Sequence, residues 1–226
     1  RYAFSATALS SIQIPDVVTS IDYRAFYNCT SLTGVNIPKS WTTAGSQILL
    51  GCKALTSITV PEGMTALPTG AFQDAASLQS VSLPSTLTSI GNGAFSGCES
   101  LTAIVIPDQI TRIGEDAFAK CTAVTSLSVG QGVTEIGKNA FRQNTALPAV
   151  RLGEHVRTVG AYAFADCTAL RTLDMTDSVT AIGESAFSGC SGLTSAGVLH
   201  LSTALDSIAK EAFKGTAFWE AADMVY

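Results

Sequence analysis

The six cysteines of this chain stand at 29, 52, 98, 121, 167 and 190, and every gap between neighbours is 23 residues or twice 23. The Ala-Phe pair keeps the same register at Ala25-Phe26, Ala71-Phe72, Ala94-Phe95, Ala117-Phe118, Ala140-Phe141, Ala163-Phe164 and Ala186-Phe187, with Ile48-Leu49 in the remaining slot. Ala3-Phe4 and Ala212-Phe213 extend the series with small slips. The first repeat lacks one residue, and about three extra residues near Ala196 to Val198 displace the last. A 23-residue unit is too short to enclose a core of its own. Its Leu, Ile and Phe side chains must be buried by the units before and after it, which restricts the chain to a stacked array.

The unit reads L-T-x-I-x-I-P-x-x-V-T-x-I-G-x-x-A-F-x-x-C-x-x, and Leu101 to Ala123 shows it almost unbroken. Nine units begin at Leu9, Leu32, Leu55, Leu78, Leu101, Val124, Leu147, Leu170 and Leu193. No linker, charge run or low-complexity stretch interrupts them. Residues 1–226 therefore read as a single domain, with 1–8 a partial N-terminal repeat and 214–226 a C-terminal cap. In "LTAIVIP" Ile104 and Ile106 alternate with Ala103 and Val105, the period of a half-buried strand. "ITRIG" is a second short extended piece, and "EDAFAKC" has room for one helical or 3-10 turn. Stacking these units predicts a right-handed solenoid with a parallel sheet on one face.

Composition removes several functions. The net charge of −5 leaves no basic stripe to neutralise phosphates, so no nucleic-acid partner is expected. No apolar run approaches the roughly 20 residues of a membrane span, so this segment is not expected to insert into a bilayer.

The repeat LTxIxIPxxVTxIGxxAFxxC resembles the BspA-like leucine-rich repeats of bacterial cell-surface proteins, and the likeness covers essentially the whole chain. It implies an α/β solenoid: a right-handed leucine-rich-repeat horseshoe or arc with a parallel β-sheet and short helical or 3-10 turns. It also implies a non-catalytic protein-binding or adhesion module, secreted or on the cell surface, with a host or matrix protein as partner. The alternative is a structural spacer or display segment within a larger surface protein. The class has no shared catalytic residues, so neither an enzyme nor a cofactor is implied, and a monomer is expected. The ending "FKGTAFWEAADMVY" resembles the Trp-bearing segment that often closes such arrays, which casts Phe218 and Trp219 as a lid on the last coil. Trp41 replaces the usual Val of its unit, as local core variation or an exposed aromatic contact.

Read singly, several residues suggest chemistry that the repeat explains otherwise. Gly91, Gly93 and Gly97 are spaced like a phosphate-binding loop, but a phosphate loop occurs once, whereas the glycine of Gly91 recurs at 114, 137, 160 and 183. Pro68 shares that slot and excludes positive φ, so close packing selects Gly there. Gly93 and Gly97 read as local turn choices. The cysteines read as a ladder of small buried side chains with free thiols. Adjacent coils hold their Cβ atoms about 4.8 Å apart, beyond the roughly 3.8 Å of a disulfide. Ala75, Asn144 and Thr216 take the cysteine slot, Asn144 as a partner for turn backbone. His155 and His200 lie in different units and form no zinc motif.

The remaining candidates are outward strand positions. One slot reads Gln13, Asn36, Thr59, Ser82, Val105, Ser128, Arg151, Asp174 and His200, and the other runs from Ser11 to Ser195 in mostly small residues. Protein binding is expected at Arg151, Asp174 and His200 on three consecutive coils, with Gln13 and Asn36 at the other end. No catalytic, cofactor or metal residues are assigned.

Overall fold

The computed structural model describes residues 1–39, 45–194 and 197–217, where each 23-residue unit forms one coil of a parallel β-solenoid. Trp41, Ser195, Phe218, Trp219 and most of the expected cap lie outside the described residues. The first extended piece of each unit forms β1 (Ser11–Ile12), β2 (Gly34–Val35), β3 (Ser57–Thr59), β5 (Ser80–Ser82), β7 (Ala103–Val105), β9 (Ser126–Ser128), β11 (Ala149–Arg151), β13 (Thr172–Asp174) and β15 (Val198–His200). The second forms β4 (Ala66–Leu67), β6 (Ser89–Ile90), β8 (Arg112–Ile113), β10 (Glu135–Ile136), β12 (Thr158–Val159), β14 (Ala181–Ile182) and β16 (Ser207–Ile208). Alternation follows the sequence pattern: Ile104 and Ile106 are buried while Val105 between them is 65% exposed.

The sheets differ from the expectation of one parallel sheet on one face. The second strands make a continuous seven-stranded parallel sheet from β4 to β16. The first strands pair only as β1–β2, β3–β5, β7–β9 and β11–β13–β15. Within these groups the ladder continues past the strand end, as Val60 N–H to Ser82 C=O (2.9 Å), Ile106 to Ser128 (2.9 Å), Leu152 to Asp174 (3.0 Å) and Met175 to His200 (2.9 Å). The corresponding bonds from Ile37 to Thr59, Leu83 to Val105 and Val129 to Arg151 are absent.

The third segment is not helical in any coil, which corrects both the helical or 3-10 turn and the α/β class. In every coil the residues two before and two after the Phe (or Leu49) have φ between 52° and 77°. Gly93 and Gly97, Asp116 and Lys120, Asn139 and Gln143, Tyr162 and Asp166 are such pairs. A helix needs consecutive residues of one hand, so a left-handed residue at every fourth position excludes it. The alternation instead turns every second N–H along the solenoid axis. Asp116, Phe118 and Lys120 donate to the carbonyls of Lys138, Ala140 and Arg142 at 2.9, 2.8 and 2.7 Å. The same triple bond set joins each coil to the next, from Tyr2, Phe4 and Ala6 through Ser185, Phe187 and Gly189. Gly93 and Gly97 are thus not local choices; they occupy slots whose left-handed backbone recurs in all ten turns.

The Phe side chains point inward and stack. From Phe72 to Phe213 seven rings lie 5.1 to 5.5 Å apart, six gaps of nearly parallel faces, and Phe4 lies on Phe26 at 5.2 Å. Leu49 separates the two stacks. Beside the rings, each cysteine thiol donates to the Phe carbonyl of the coil before it, as Cys98 to Phe72 (3.3 Å) and Cys190 to Phe164 (3.1 Å). Asn144 departs from this and from its expected role, because neither Oδ1 nor Nδ2 of its buried side chain is hydrogen-bonded. The recurring glycines are packing positions. A Cβ at Gly91, Gly114, Gly137, Gly160 or Gly183 would come within 2.5 to 2.8 Å of the preceding coil's backbone.

Candidate functional site

The repeated slots are filled by the scaffold, so chemistry is left to the outward positions of the first strands. Parallel register places Arg151 opposite Asp174 and Asp174 opposite His200. Their side chains meet: Arg151 Nε lies 3.5 Å from Asp174 Oδ2, and His200 Nδ1 lies 3.3 Å from Asp174 Oδ1. Asp174 is the least exposed of the three, and Arg151 (81%) and His200 (69%) reach into solvent on either side of it. Asp174 thus faces Nε of the guanidinium with one carboxylate oxygen and Nδ1 of the imidazole with the other. Beside the row, Ser128, Gln131, Glu154 and Thr176 join Arg151 in lining a polar hollow of about 400 Å³. This hollow opens where Val129 and Arg151 lack their ladder bond. Proline, which would stiffen the rim, is replaced there by Gly130 and Gly153.

Gln13 and Asn36 sit on the same strand series at the opposite end of the array. Both line a groove of about 760 Å³ with Ser57, Thr59 and Ser82, over the break between β2 and β3. Asn36 is committed to the scaffold. Its Oδ1 accepts from Ile14 N–H at 2.6 Å and its Nδ2 donates to Ile14 C=O at 2.8 Å, so the amide completes the rung between the first two coils. Nothing in the sequence pattern marks that use. Gln13 is exposed. The five residues thus fall into two groups rather than one site. In the other outward slot, Thr172 pairs with Val198 rather than with the expected Ser195.

Other ion pairs also bridge coils, among them Arg112–Glu135 at 3.3 Å, Glu115–Lys138 at 3.5 Å and Arg142–Asp166 at 3.6 Å. Pairing alone does not single out the Arg151 row. Its distinction is three linked members beside a hollow on the broken sheet. Exposed pairs of this kind contribute about 0–1 kcal/mol each, so they are free to serve recognition.

The six cysteines are free thiols and all are buried. Burial pushes the thiols of Cys52 and Cys121 up to about 12 and that of Cys98 well above its ordinary value. A thiol held protonated by desolvation is inert at neutral pH. Among the described residues no group of three or more His, Cys, Asp or Glu is placed to hold a metal ion, and no helix is long and apolar enough to cross a membrane. His155 is an exposed residue whose Nδ1 lies 2.8 Å from the Gln131 carbonyl oxygen.

The sequence matches the family model described as a BspA type leucine-rich repeat region, in six copies over residues 1–125 and 111–221. A leucine-rich repeat protein from Bacteroides ovatus is 28% identical and superposes with a TM-score of 0.82, covering 94% of this chain. The chain spans only 60% of that protein. A leucine-rich cell surface protein from Faecalibacterium prausnitzii is 28% identical with a TM-score of 0.52, over 96% of this chain and 73% of its own length. A leucine-rich repeat protein from Eubacterium ventriosum, 22% identical, shares the fold with a TM-score of 0.76 over all of this chain and 69% of that one. No curated protein matches the chain significantly.

Proposed function

The chain belongs to the BspA-type leucine-rich repeat family, and we propose that it is a non-catalytic protein-binding module of a secreted or surface-displayed bacterial protein. Its partner is a host or matrix protein, bound in adhesion. Residues 1–226 act as one repeat domain and as a monomer. The observation that carries this reading is the Arg151–Asp174–His200 row, the place among the described residues where the first strands present three linked ionisable side chains beside a hollow. With Asp174 beside its Nε, the guanidinium of Arg151 retains its outer nitrogens for a partner's carboxylate, which they bind in a bidentate fork. The description of the Faecalibacterium prausnitzii relative as a cell surface protein supports the location.

The test is binding of the folded chain to immobilised matrix proteins such as fibronectin, fibrinogen and collagen, beside Arg151→Ala and Asp174→Ala. The expected result is saturable binding to at least one, weakened about tenfold or more in both variants, the size of a lost well-placed charge contact. Unchanged binding in the variants removes the row as the contact surface. No binding to any of them favours the spacer, a reading supported by the small hydroxylic residues at most other outward positions.

A further inference from the structure

At one place in the unit, the amide of Val60, Ile106, Leu152 or Met175 donates across to the following coil. The N–H groups of Ile37, Leu83 and Val129 stand at the same place, and among the described residues neither they nor the carbonyls of the same residues have a partner. Two of these open rungs lie in hollows. Ile37 and Thr59 line the groove of about 760 Å³, and Val129 and Arg151 line the hollow of about 400 Å³. Ile14 holds the same place one coil before Ile37, and its rung is completed in another way. A side-chain carboxamide meets it: Asn36 Oδ1 accepts from Ile14 N–H at 2.6 Å, and Asn36 Nδ2 donates to Ile14 C=O at 2.8 Å. A primary amide can make both bonds because its oxygen and one of its N–H groups lie side by side on one edge. In a trans peptide amide the two groups lie on opposite edges, so it cannot make both to one residue. The slot of Asn36 holds Thr59 opposite Ile37 and Arg151 opposite Val129, and neither carries an amide.

We propose that the open rungs at Ile37 and Val129 are binding sites for primary carboxamides, the side chains of Asn and Gln in a partner polypeptide. The inference deepens the protein-binding reading and rests on it for the partner being a protein. The carboxamide oxygen accepts from the open N–H, and its nitrogen donates to the carbonyl of the same residue, as Asn36 does at Ile14. A donor and an acceptor that have lost water without gaining a partner are costly, and one amide satisfies both. An ionised carboxylate offers no donor, so it would leave the carbonyl facing an anion.

The experiment titrates the folded, isotope-labelled chain with propionamide and follows the amide resonances of Ile37, Val129, Val60 and Leu152. Propionate and N-methylpropionamide are the controls. Propionamide is expected to shift Ile37 and Val129 saturably and to leave Val60 and Leu152, whose rungs are complete, unmoved. Neither control is expected to do so. Thr59→Asn supplies the amide from within the chain. It is expected to slow exchange at the Ile37 amide by about tenfold or more and to abolish its response to propionamide, while Val129 still responds. Asn36→Ala is the converse and is expected to make Ile14 responsive. An equal response to propionamide and N-methylpropionamide, or no response at Ile37 and Val129, overturns the proposal. Propionamide binding in a chain that captures no matrix protein would remove the adhesion reading and leave the carboxamide sites standing.

Discussion

The Phe turns and the first strands of this solenoid carry the same 23-residue period, yet only the turns form an unbroken ladder. Three backbone bonds cross every described junction of the turns, and stacked rings lie beneath most of them. The first strands fall into four separate groups. The difference follows from what each segment buries. The turns pack Ala, Phe and Cys, or in a few coils Ile48, Leu49, Ala75, Asn144 and Thr216, inward, so neighbouring coils are held at one spacing. The first strands keep only two inward residues, and their outward residues change from coil to coil. A ladder whose spacing is fixed elsewhere tolerates gaps, and at two of those gaps the structure opens hollows. The continuous ladder and the hollows thereby fall on different faces of one repeat.

Substitutions sharpen the contrast. Phe118→Ala removes a buried ring between two others and is expected to cost about 3–5 kcal/mol in chemical denaturation. Val105→Ala on the first strands, though equally central, is expected to change stability by less than about 0.5 kcal/mol. Similar losses would dissolve the distinction. Gly137→Ala places a Cβ 2.5 Å from the Ile113 carbonyl oxygen, and its expected cost is about 1–3 kcal/mol.

The left-handed slots give a paired test of smaller size. Gly97→Ala is expected to destabilise by about 1 kcal/mol, and Lys120→Gly, in the equivalent slot one coil later, to recover a similar amount. Equal signs for the two would contradict a backbone origin. The thiols add a pH dependence. Cys52 and Cys121 titrate near 12 in the folded chain, above the unfolded thiol, so their contribution is complete below the unfolded value near 9 and is lost as pH rises toward 12. Thermal melts from pH 7 to 11 should show Tm falling above pH 9, with a shallower fall in Cys121→Ala. Arg151→Ala is expected to move stability least, by under about 0.5 kcal/mol, because its ion pair is exposed.

Much of this was legible in the 23-residue spacing. The strand positions, the buried Phe and Cys, and the packing role of Gly91 follow from which residues recur. The Arg151 row was legible too, since parallel register brings residues one unit apart side by side. The turn conformation was not read correctly, although a signal was present: Gly, Asn or Asp fills eleven of the twenty left-handed slots. The signal is diluted because Arg24, Lys120 and Tyr162 hold the same backbone under ladder constraint. Asn36 and Asn144 were misread for a related reason. Each amide occurs at its slot in one coil only, and whether it finds a partner depends on local spacing that no repeat pattern encodes.

The contrast between the faces is tested most directly by residue-resolved amide exchange of the native chain. Phe118, Phe141 and Phe164, together with Ile106, Leu152 and Met175, should exchange slowly. Ile37, Leu83 and Val129, whose rungs are missing, should exchange at least about a hundredfold faster than the equivalent amides of the next coils. Uniform protection along the first strands would show that their ladder is continuous in solution and would contradict the account.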